Sequence, residues 1–343
     1  MTQTFRLPAS RPAASISHLA DDISAWTTPL CTTRAPLLGY AHPDAEARER
    51  WQADPGRSAF CADLRTALED LQRLEGPTPL DAVIVTSPHF HPLSPHAREI
   101  DLTSAAPLVQ DAATMWHGRC VAPDSPNKAP VLLINEMVVR GATGHPSDFV
   151  STLAHEMAHA RQMQGNRHIP PRPDSPANRL RFLFGRTAWA EGGATAREVR
   201  WIGPEIRLER IETTIRVALR SFGGAAAALP AEDAIDQAAA SLGVAVGVLG
   251  GALSSLEASE SEALRRRFDA AHACLFELAE QARPVLATGD QPPWEGLSDW
   301  TRPLCALDRL LDPAAFLPTP AGACLGRACA TWTPETAADP DGV

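Results

Sequence analysis

One five-residue stretch limits this chain more than any other: His155-Glu156-Met157-Ala158-His159, an HExxH pattern. In a helix, residues four apart lie about 40° apart in projection and about 6 Å along the axis. Both imidazoles then leave one face and can hold one Zn2+. Glu156 falls beside that face, where a carboxylate can take a proton from an activated water without binding the metal. With 11 histidines in 343 residues, roughly 0.02 such matches arise by chance, so composition does not account for the pattern. The fold must therefore provide a well-supported helix here. The flanking residues predict one: Ser147 as N-cap, Asp148 in the first turn, apolar Val150, Leu153, Ala154, Met157 and Ala158, and Gly165 as the stop.

The rest of the chain surrounds that helix with a small sheet and more helices. Residues 57–74 carry apolar side chains at helical spacing and end at Gly76-Pro77. Segments 81–86 (DAVIVT) and 130–140 (PVLLINEMVVR) read as buried strands. The second precedes the HExxH helix and is expected to be an edge able to pair with an extended substrate. After a loop with four prolines (166–179), helical patterns run from about 179 to 201 and from 204 to 286. The expected class is α+β. It comprises an extended Pro/Ser/Thr-rich arm (1–44), a catalytic domain (45–203), a helical region (204–315) and an irregular tail (316–343).

A catalytic zinc needs three protein ligands and one open position. Pattern HExxHxxGxxH is excluded, because Gln162 and Gly165 stand where glycine and histidine are required. Two candidates remain for the third ligand. Glu191 lies in Trp189-Ala190-Glu191-Gly192-Gly193-Ala194, where the paired glycines would let a second helix come close and Glu198 could accept a hydrogen bond from a ligand histidine. The other candidate is His168, nine residues past His159.

The Trp189–Ala194 stretch resembles the W-x-E-G-x-A signature of gluzincin peptidases, within the broader zincin group, and HExxH followed by Gln162 resembles the related MA-type metallopeptidases. The resemblance covers at most residues 130–200. It implies a zincin-like catalytic domain, with Zn2+ held by His155, His159 and Glu191, and Glu156 as general base in peptide hydrolysis. A second resemblance, through Thr152–Ala160 (TLAHEMAHA), is to SprT-like metalloproteases, and it would make His168 the ligand. A third reading is a catalytically silent zinc-binding interaction protein. Many gluzincins place a tyrosine or histidine to stabilise the oxyanion. The only tyrosine, Tyr40, lies in the expected arm, leaving His145, His168, His272 or an arginine for that role.

The resemblance implies a peptide or protein substrate, and composition bears on the other partners. The 31 basic and 41 acidic residues give a formal charge of −10, which argues against nucleic acid and so against the work of SprT-like enzymes. Seven cysteines without a CxxC pair, and no apolar leader at the start, lead to the expectation of reduced thiols and a cytoplasmic location. Residues 237–256 carry no formal charge and are long enough to span a bilayer. Four glycines and the lack of aromatic anchors instead predict a helix buried among other helices. His89, His91 and His96 sit in a proline-rich loop.

Overall fold

Two short apolar runs without charge, Ala82–Thr86 and Val131–Asn135, form the middle of a sheet. In the computed structural model, Ala82, Val83, Ile84 and Val85 are all buried, as are all five residues of the second run. Strands covered on both faces have no need of polar alternation. The structure describes residues 27–29, 36–41, 45–53, 55, 57–86, 117–121, 129–135, 138, 147–165, 176–227, 232–268 and 272–286. The architecture is α+β, and the chain divides into two compact units, Met1–Arg167 and His168–Val343.

The first unit holds strands β1 (Thr27–Pro29), β2 (Leu37–Ala41), β3 (Ala82–Thr86), β4 (Gly118–Val121) and β5 (Val131–Asn135). Its helices are α1 (Ala45–Ala53), α2 (Arg57–Glu75) and α3 (Ser147–Gly165). The sheet order is β1-β2-β3-β5-β4, with β2, β3 and β5 parallel and both edge strands antiparallel. Asp81 ties the start of β3 to β5: its amide donates to Pro130 O at 3.0 Å, and its carboxylate accepts from the Ala129 amide at 3.2 Å.

Two expectations are corrected in this unit. Residues 27–29 and 37–41 of the expected arm are strands of the sheet, and Leu38 and Tyr40 are wholly buried. The 130–140 run is not an edge: the strand stops at Asn135 and lies between β3 and β4. The edge is β4, too short and weakly patterned to declare itself in the sequence.

The second unit contains α4 (Pro176–Glu198), α5 (Pro204–Ala227), α6 (Glu232–Ser255), α7 (Ala258–Arg266) and α8 (Ala273–Leu286). The domain boundary expected near 203 therefore falls inside this unit. Helix α6 lies at its centre, packed against α4, α5 and α8. Its window Gln237–Ser255 is apolar and long enough to cross a membrane by length and composition, yet 72% of it is buried by protein. The surrounding core includes Phe184, Trp189, Ile215, Leu249 and Phe276.

Candidate metal centre

Helix α3 starts at Ser147 and ends at Gly165, as its capping residues and apolar stripe predict. Its burial extends well beyond that stripe. Leu153, Ala154, Met157 and Ala158 are buried, and so are Ser151, Thr152, Glu156, Arg161 and Gln162. His155 and His159 are half-buried on one face. Their rings meet edge to face, with centroids 4.7 Å apart and planes at 78°. The two Nε2 atoms lie 3.0 Å apart. Two nitrogens on one tetrahedral zinc, each about 2.0–2.1 Å from it, would be about 3.3 Å apart, so this pair already has nearly ligand spacing.

Gln162, one helical turn beyond His159, sets that ring's tautomer. Its Oε1 lies 3.0 Å from His159 Nδ1. A carbonyl oxygen only accepts, so the ring proton sits on Nδ1 and Nε2 keeps the lone pair a metal needs. Such an outer partner orients a ligand histidine and raises its basicity. The i, i+3 spacing of His159 and Gln162 was visible in the sequence, but the role it serves was not.

Glu156 is only 5% exposed. The residue that makes room for it is Gly118, at the start of edge strand β4. A Cβ built on Gly118 would come within 2.7 Å of Glu156 Cγ, 2.9 Å of Glu156 Oε1 and 2.8 Å of Thr152 Cγ2. Two residues on, Cys120 points the same way, with its Sγ 3.6 Å from Met163 Sδ of α3. Burial, with the nearby Glu156 charge adding to it, pushes the Cys120 thiol well above its ordinary pKa. It is therefore a protonated, free core thiol rather than a nucleophile. No local signal links Gly118 or Cys120 to α3, because strand pairing alone brings them there. Gly118→Ala is expected to cost about 1–3 kcal/mol by overpacking, read as a lower urea or thermal midpoint. An unchanged midpoint would show that the strand yields freely.

The helix is also held by Arg161, which is 8% exposed. Its Nη1 donates to Thr78 Oγ1 at 2.8 Å and to Gly76 O at 3.3 Å. Gly76 has φ of +96°, the left-handed turn that ends α2. The arginine thus fastens the HExxH helix to the turn leading into β3.

Glu191 is half-buried on α4, beside buried Trp189, Gly192, Gly193 and Ala194. Among the described residues, His155, His159 and Glu191 are a group that could hold a metal ion. Glu198, expected to accept from a ligand histidine, makes an ion pair with Arg210 of α5 at 2.6 Å. Tyr40 is sealed in the middle of β2, so the one tyrosine of the chain is part of the sheet core. His272 is half-buried against the Phe268 ring, with centroids 5.4 Å apart. His168, His145, His89, His91 and His96 lie outside the described residues.

No protein-family model, curated protein or solved structure matches the chain.

Proposed function

We propose that this protein is a zinc metallopeptidase, with His155, His159 and Glu191 as ligands and Glu156 as general base. The observation that carries this reading is the paired Nε2 atoms at 3.0 Å, one with its lone pair fixed by Gln162, directly followed in sequence by the buried carboxylate of Glu156. The donor set suits the ion: two neutral imidazoles and one carboxylate are a zinc-type site with a position to spare. A structural zinc has no use for an unligated carboxylate at position 156.

Bound zinc would supply Lewis acidity, polarising the scissile carbonyl and making water a nucleophile near neutral pH. Glu156 takes the proton of the attacking water and passes it to the departing amine. Gln162 keeps His159 in its ligating tautomer. Strand β4 offers the substrate a place. In the β4–β5 ladder, His117 O accepts from Asn135 N, and Arg119 stands opposite Leu133. Antiparallel alternation then turns the backbone groups of Gly118 and Cys120 outward, along an edge with no strand partner among the described residues. An extended peptide added there would run along the strand that covers Glu156.

The test is the metal content of the purified protein, together with cleavage of a fluorogenic peptide library before and after a zinc chelator. Near-stoichiometric zinc, turnover, its loss on chelation and its return on zinc addition are expected. The sealed position of Tyr40 favours one second reading, a zinc-binding protein without turnover, because the chain's only phenol is unable to reach an oxyanion. Stoichiometric zinc with no cleavage of any peptide would establish that reading instead.

A further inference from the structure

Helix α6 carries glycines at 243, 247 and 251, four residues apart and hence along one face. Each is met by the backbone of α4. A Cβ on Gly243 would lie 2.8 Å from Phe184 O and 2.8 Å from Thr187 Cβ. On Gly247 it would lie 2.5 Å from Ala188 O and 3.0 Å from Gly192 N. On Gly251 it would run into Gly192 O and lie 3.0 Å from Gly192 C and 3.1 Å from Ala196 N. Comfortable carbon contacts are about 3.5–4.0 Å, so none of these sites accepts a methyl unless a helix backbone moves.

The partner residues 184, 188 and 192 repeat the same four-residue spacing, and the series ends beside Glu191. From the other side, Leu286 of α8 packs against Gly192, where a Cβ would lie 3.1 Å from Leu286 Cγ. Ser255 Oγ donates to Ala196 O at 2.7 Å. The turn 191–196 is thus gripped by α6, α8 and a side-chain hydrogen bond together, at backbone-to-backbone distance.

We infer that Gly247 and Gly251 of α6, with Leu286 of α8, are positioning residues for the metal site: they set the height and rotation of the α4 turn that presents Glu191. This rests on Glu191 being a zinc ligand. It also gives the apolar, glycine-rich α6 a task, since a ligand must be held to within about 0.5 Å to be useful. A side chain on a long helix achieves that only if its own turn is fixed. Gly243 grips α4 two turns earlier, so it contributes to packing without setting the position of Glu191.

The experiment measures the zinc dissociation constant of the full chain by chelator competition, alongside the thermal midpoint and far-ultraviolet circular dichroism. Wild type, Glu191→Ala, Gly251→Ala, Gly243→Ala and Leu286→Ala are compared. Gly251→Ala is expected to weaken zinc binding by about 10–100-fold, the range for lost outer support of a ligand. Gly243→Ala is expected to lower the midpoint as well, with wild-type zinc affinity. Leu286→Ala, which leaves the glycine face intact and only releases the turn, is expected to weaken zinc as well and serves if Gly251→Ala does not fold. Wild-type affinity in folded Gly251→Ala or Leu286→Ala overturns the inference, as does affinity that merely follows the midpoint across all variants. A zinc-free wild type, or Glu191→Ala with unchanged affinity, overturns the ligand reading itself and this inference with it.

Discussion

Glu156→Gln is expected to keep its zinc and lose peptide hydrolysis, with kcat/KM falling by about 10²–10⁴-fold, the usual contribution of a general base. The substitution is nearly isosteric. The side chain lies under β4, with room made by the missing Cβ of Gly118 and with Thr152 beside it, and an amide of the same shape fills that space. It can still hydrogen-bond, but it has no basic oxygen to receive a proton. Metal content by atomic absorption and turnover on the best library peptide separate the two effects. Zinc loss in this variant would place Glu156 among the ligands. Turnover within ten-fold of wild type would remove it from the mechanism.

Glu191→Ala is expected to leave the site nearly metal-free at ordinary zinc concentrations, with affinity lowered on the order of 10³-fold. That is one ligand's share of the about 10–16 kcal/mol that holds zinc in small protein sites. The change should spare the fold, since Glu191 is half-buried and the turn is gripped through Gly192 and Ala196 rather than through its own side chain. His168→Ala, measured in parallel, is expected to retain full zinc. The opposite result, with His168→Ala empty and Glu191→Ala full, would transfer the third ligand to the loop and restore the SprT-like alternative.

Legibility in the sequence followed the range of the interactions concerned. Helix α2 and helix α3 appear at the residues their periodicity and caps predict, because a helix satisfies its backbone hydrogen bonds within its own segment. Strand β3 was equally plain, as a charge-free apolar run between turn residues. Strands β1, β2 and β4 were not, since none of TTP, LLGYA and GRCV is a run of β-branched apolar residues between turn signals. Nothing in Gly118-Arg119-Cys120-Val121 marks it as the edge above a buried glutamate. Similarly, nothing in the sequence announced that α5 brings Arg210 to Glu198 at 2.6 Å, a charge-assisted contact made between two helices.

By itself, the sequence determined the chemistry on offer: two imidazoles one turn apart, a carboxylate between them, and a Trp-x-Glu-Gly-x-Ala stretch on a later helix. These are local patterns, and helical geometry alone brings His155 and His159 to one face. Tertiary structure decided what makes that chemistry usable. It placed Gly118 over Glu156, turned the Gln162 amide onto His159, put the lone tyrosine in the core, and set the glycines of α6 against the turn that carries Glu191. The physical reason is steric. Where a side chain is missing, only the partner that moves into the space gives the gap a meaning, and pairing and packing across long stretches of chain choose that partner.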